Sequence, residues 1–137
     1  MLLVAGVASS ACSGERKGSF EQLPQTAQSV IVQHFDKAAI ASVIIDNDDK
    51  TTEYEVRFTD GTELDFDKNG GLKKAETKRG ELPNALIPID IVTYVKNNYP
   101  SALIVEWETG KKGSTVELNT GIDLKFNNLN QFVGLGN

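Results

Sequence analysis

Residues 59–66 read TDGTELDF, and residues 119–126 of the same chain read NTGIDLKF. This internal likeness constrains the fold more than any other feature, because a chain of 137 residues that writes one supersecondary unit twice has little length left for anything else. At an offset of 60, Val56 meets Val116, Gly61 meets Gly121, Leu64 meets Leu124 and Phe66 meets Phe126. Upstream the offset is 64, and there Pro24 meets Pro88, Ile31 meets Val95, Phe35 meets Tyr99, Ala38 meets Ala102 and Ile40 meets Ile104. The difference falls in the loop between the first two strands of each copy, where a change of length costs little.

Each copy opens with a helix. Pro24 and Pro88 stand near its start, where a missing N–H is least costly. Ala27, Val30, Ile31 and Phe35 recur at helical spacing, as do Ile91, Val92, Val95 and Tyr99. Pro100 disfavours helical geometry in the residue before it, so the second helix ends near Tyr99. Strands follow. Tyr54, Val56 and Phe58 alternate with Glu53, Glu55 and Arg57, and Leu64 and Phe66 with Glu63 and Asp65, which is the pattern of a sheet with one dry and one wet face. In the second copy Val116 and Leu118 flank Glu117, and Leu124 and Phe126 alternate with Asp123 and Lys125.

Asp60-Gly61 predicts a two-residue hairpin turn with positive φ at both central positions. Leu72 starts a short fourth strand, and the basic run KKAETKR, residues 73–79, reads as a solvated connector. The expected fold is α+β: two helix-plus-four-strand repeats, about residues 23–76 and 84–135, forming one antiparallel sheet of about eight strands with the helices on one face.

Nineteen acidic against fourteen basic side chains give a net charge of −5, which repels a phosphate backbone and sets nucleic acid aside as a partner. No apolar run has the roughly 20 residues needed to cross a bilayer. Residues 1–11 are apolar and small, stop at the lone Cys12, and resemble the end of a secretory leader. Residues 1–19 are therefore read as leader and tether, with Cys12 as the position for a lipid. That lipid is the one route to a membrane in this reading, and the expected location is the periplasm or outer membrane. A single cysteine and a single histidine, His34, offer neither an internal disulfide nor a zinc site.

Chemistry finds little purchase. His34 lies on a predicted helix with no nameable orienting partner, so no catalytic residue is assigned and the chain is read as a non-enzyme. DNDDK, residues 46–50, bunches carboxylates but lacks the glycine and the closing acid of a calcium loop, and reads as a polar hairpin; no metal or cofactor site is assigned. What remains is the wet sheet face: Glu53, Glu55, Arg57, Glu63, Asp65, Glu106, Glu108, Glu117, Asp123 and Lys125 are the candidate protein-binding residues. Trp107 aligns with Val43 and is expected in the core.

The order helix, aromatic, Ala-x-Ile, Tyr-x-Val strand, Asp-Gly turn and closing Leu-x-Phe-Asp resembles the PepSY-like family, also called beta-lactamase-inhibitor-like. Phe35, Ala38, Ile40, Tyr54, Val56, Asp60, Gly61, Leu64, Phe66 and Asp67 carry it, and again Tyr99, Pro100, Ala102, Ile104, Val116, Gly121, Leu124 and Phe126. The second copy departs at Thr120 and Asn127, where aspartate is usual. The resemblance implies one PepSY-like domain over residues 20–137 in an exported bacterial protein, with suspected restraint of peptidases or related hydrolases. The functional expectation is a non-catalytic binding or inhibitory module that acts on a cell-envelope protein through its sheet face and hairpin loops. The alternative is a small-ligand or cation-sensing periplasmic domain. The sequence leaves the oligomeric state open.

Overall fold

Alternation of dry and wet side chains becomes strand wherever it was legible. The computed structural model describes residues 14–48 and 50–136, so residues 1–13, Cys12 among them, lie outside the described residues, whereas Glu15–Lys17 of the expected leader and tether are strand. The strands are β1 (Glu15–Lys17), β2 (Ile40–Asn47), β3 (Thr52–Phe58), β4 (Glu63–Phe66), β5 (Leu72–Glu76), β6 (Ile104–Gly110), β7 (Gly113–Leu118), β8 (Asp123–Phe126) and β9 (Phe132–Leu135). They follow one another in chain order in one antiparallel sheet of nine strands. The helices are α1 (Gln25–His34) and α2 (Ile89–Asn98). The strand count exceeds the expected eight because β1 pairs with β2 through Glu15 opposite Asp46 and Lys17 opposite Ile44. All three β1 side chains are charged and exposed, which is how an edge strand avoids pairing with other chains.

By packing, the chain divides into two units. The first holds the described residues up to Thr59 together with 63–72; the second holds 60–62 and the residues from Lys73 onward. In the first, α1 buries Ala27 and Ile31 on the side of Val43, Ile45, Val56, Phe58, Leu64 and Phe66, all buried. Phe35, which caps the helix, stacks on Phe58 of β3 with ring centroids 5.0 Å apart. Each fully buried side chain of this size contributes roughly 1.5–3 kcal/mol.

In the second unit α2 buries Ile91, Val92 and Val95, and Tyr94 stacks on Phe132 at 4.6 Å and meets Phe126 edge-on at 5.6 Å. The helix ends at Asn98 with Tyr99 as its cap, as Pro100 requires. Trp107 is buried as expected, although its indole N–H finds no acceptor among the described residues.

Two local expectations are corrected. Residues 73–76 are strand, not solvated connector: Lys74, Ala75 and Glu76 pair with Glu108, Trp107 and Glu106, and Ala75 is fully buried. The Asp60-Gly61 turn is longer than two residues, since β3 ends at Phe58 and β4 begins at Glu63. Only Gly61 has positive φ, at 91°; Asp60 instead accepts a hydrogen bond from the Thr62 amide, which closes the loop and holds the Asp60 carboxyl below its usual range.

The departure at Asn127 is structurally neutral. Asp67 accepts from the amides of Asn69 and Gly71, and Asn127 does the same for Leu129 and Gln131, because the turn needs a carbonyl-type oxygen there and not a charge.

Candidate functional site

Every predicted face residue lies on the outward side of a strand, exposed or half-buried. In the first unit the register sets Glu53 beside Asp46, Glu55 beside Ile44 and Asp65, and Arg57 beside Ser42 and Glu63. The Arg57 guanidinium donates to Glu55 and lies 3.6 Å from Glu63. That hydrogen bond, with the charges of Glu55 and Glu63, raises the Arg57 pKa still further above its ordinary value. Exposed pairs of this kind are screened by water and cost side-chain freedom, so their effect is to order the face more than to hold the fold.

In the second unit Glu106 stands between Glu76 and Glu117, Glu108 between Lys74 and Thr115, Glu117 beside Asp123, and Lys125 beside Thr115. Lys74 reaches Glu76 at 3.9 Å and Glu106 at 4.0 Å, and Lys78 reaches Glu76 at 3.7 Å. Partial burial, helped by the charges of Glu76, Glu117 and Glu108 and opposed by Lys74, pushes the Glu106 carboxyl above its usual 4.5.

A carboxyl whose pKa is raised on folding favours the folded state when protonated, and that contribution is lost as pH rises through the unfolded and then the folded value. Glu106→Gln, which mimics the protonated form, is therefore expected to melt above the parent at pH 7. The gap should close as the pH falls below 4.5, and thermal melts across that range check it. A variant that melts lower at pH 7 would mean that the contact with Lys74 outweighs burial and repulsion.

The sequence reading missed part of this surface. Lys74 and Glu76 flank buried Ala75, so their alternation was present in LKKAE but was hidden by the basic run around it. Glu15, Lys17 and Asp46 join the first unit's outward face through β1 and β2. His34 is the last residue of α1. Of the DNDDK segment, Asp46 and Asn47 are strand and end β2, not loop; beyond them Asp48 accepts from the amides of Lys50 and Thr51, and both bonds lower its pKa.

Among the described residues, one carboxylate group has spacing compatible with a cation. Oxygens of Glu55, Glu63 and Asp65 all lie within 4.8 Å of one another. Calcium takes six to eight oxygens, and Arg57 already supplies positive charge to two of these three side chains, so a divalent ion would have to displace the guanidinium and recruit further ligands.

The family model described as "putative beta-lactamase-inhibitor-like, PepSY-like" matches residues 52–133. A crystal structure of a putative periplasmic protein from the DUF2874 family of Bacteroides vulgatus ATCC 8482 superposes with a TM-score of 0.85 at 33% identity, covering 90% of this chain and 97% of that one. A putative calcium-regulated periplasmic protein of Bacteroides thetaiotaomicron gives a TM-score of 0.84 at 34% identity, with 90% and 97% covered. A putative periplasmic protein of unknown function, also from Bacteroides vulgatus ATCC 8482, gives 0.83 at 30% identity, with 90% and 100% covered. No curated protein matches the chain.

Proposed function

The chain belongs to the PepSY-like family, and from that footing we propose that it is a non-catalytic binding or inhibitory module of the bacterial periplasm. Its target is an envelope protein, with a peptidase or related hydrolase the class that the resemblance implies. The observation that carries this reading is the ordered, mainly acidic outward face of each unit, in which Arg57, Lys74 and Lys78 hold the surrounding carboxylates in place. An ordered charged surface on a rigid antiparallel scaffold loses little side-chain freedom on binding and selects partners by complementary charge.

The same reading takes the chain as two copies of one unit, made by duplication. It also places a lipid at Cys12. Because β1 begins at Glu15, three residues further on, such an anchor would keep the domain within about 10 Å of its attachment point.

The test is affinity capture from an envelope extract with the mature protein and with a Glu55→Lys, Arg57→Glu, Glu117→Lys variant. The parent is expected to retain a partner that the variant loses. A cation-sensing role is the second reading, favoured by the calcium-regulated description of the Bacteroides thetaiotaomicron relative and by the spacing of Glu55, Glu63 and Asp65. A calcium-dependent rise in melting temperature that Glu63→Gln abolishes would favour it over the first, since a ligand that binds only the folded state stabilises by mass action.

A further inference from the structure

Strand register lays the outward face of the first unit out in three rows. Glu15, Asp46 and Glu53 stand side by side in one row; Lys17, Ile44, Glu55 and Asp65 form the next; Ser42, Arg57 and Glu63 form the third. Six carboxylates thus face two cations, a formal charge of −4. Like charges directly opposite one another across strands destabilise a sheet, and a cation laid over the first row relieves that repulsion.

Ile44 is the apolar member of these rows and lies half-buried at their middle. Two hollows share it. One, of about 270 Å³, is lined by Glu15, Ser42, Ile44, Glu55 and Arg57; the other, of about 70 Å³, runs from Ile44 towards Asp46, Glu53 and Asp65.

We propose that this face cradles a lysine side chain presented by a partner protein, with the stem over Ile44 and the ammonium at the Asp46–Glu53 row. The proposal rests on the protein-binding reading above and deepens it. Ile44 and Asp46 are two residues apart on β2, about 7 Å, which matches the reach of an extended lysine stem. Lysine buries its methylenes on apolar surface while its charged head stays among polar groups, and its compact ammonium suits a narrow acidic row better than a planar guanidinium does. The second unit has Glu108 where the sequence alignment sets Ile44, so it does not repeat the apolar residue at that position.

The test is a fluorescence titration of the protein with an oligolysine peptide and with a peptide of equal length and charge built from diaminopropionic acid, whose stem is three methylenes shorter. Oligolysine is expected to bind about tenfold more tightly than the short-stemmed peptide. Ile44→Ser should remove that preference, and Asp46→Asn with Glu53→Gln should weaken both peptides. Asp90→Asn, in the exposed first turn of α2, should change neither by more than about twofold.

Equal affinity for the two peptides on the parent protein, no binding of oligolysine, or an unaltered preference in Ile44→Ser would each overturn the cradle; the parent comparison needs no variant to fold. Failure of the cradle is distinguishable from failure of the parent reading. An envelope partner captured equally by parent and Ile44→Ser leaves protein binding standing without the cradle. A discriminating titration with no captured partner leaves the cradle standing and overturns the envelope-protein reading.

Discussion

Phe66→Ala is expected to cost roughly 3–5 kcal/mol of stability, the range for removing a large aromatic side chain from a packed core. Phe66 lies on β4 at 1% exposure, pairs across the strand with Tyr54, and shares its face with Val56 and Leu64, both fully buried. A neighbourhood this closed cannot relax much into the vacated space, so the loss includes the cavity as well as the transferred surface. Set against the 5–15 kcal/mol typical of a whole domain, the change takes away a large part of the margin. Denaturant titration checks it: the midpoint should fall with little change in slope. Lys125→Ala, on the exposed side of β8, should move the midpoint by no more than about 0.5 kcal/mol equivalent. Similar shifts for the two variants would mean that Phe66 is not part of a close-packed core.

Gly113→Ala is expected to be nearly as damaging for a different reason. Gly113 opens β7 at φ 134°, and an added Cβ would stand 2.0 Å from the Phe126 carbonyl oxygen and 3.0 Å from the Asn127 Cα. Both obstacles are backbone, so no side chain can swing aside and the end of the β7–β8 ladder, where Ser114 faces Phe126, must part. Strain of this sort alone is of order 1–3 kcal/mol, and lost pairing adds to it. Gly121→Ala is the matched control. It shares a positive φ, 91°, but has nothing within 4 Å of the new methyl, so it should cost only the dihedral strain of about 1–2 kcal/mol. Thermal melts of the two variants should separate clearly, with Gly113→Ala the lower. Coincident melts would show that the close approach at Phe126 is not a real constraint.

Particular residues explain how far the sequence could be read. Tyr54, Val56, Phe58, Leu64 and Phe66 alternate with charged neighbours because one side of β3 and β4 is dry, and that periodicity survives in the sequence whatever the tertiary context. Pro100 marks the end of α2 by local sterics alone. β1 left no such trace, since Glu15, Arg16 and Lys17 are all exposed and the strand is held by backbone pairing, which is indifferent to side chain. Residues 73–76 were misread because the charge of their outward positions dominated the single small core residue, Ala75.

The face itself was legible by alternation, down to the ten residues assigned to it. Its internal order was not. Which carboxylate meets Arg57, which glutamate is crowded by Glu76 and Glu117, and that Ile44 falls among acids are all matters of register between strands. Register depends on bulges such as the one between Ile104 and Glu106, which a single strand's sequence does not display.

The central claim, that the charged strand face engages an envelope protein, is tested most directly by site-specific photo-crosslinking in intact cells. A crosslinker replacing Glu55 on the outward face of β3 is compared with one replacing Gln33 on the exposed side of α1. A discrete protein adduct is expected from position 55, lost on reversing the charges of Arg57 and Glu117, and no such adduct from position 33. The same adducts from both positions, or none from position 55, would contradict it.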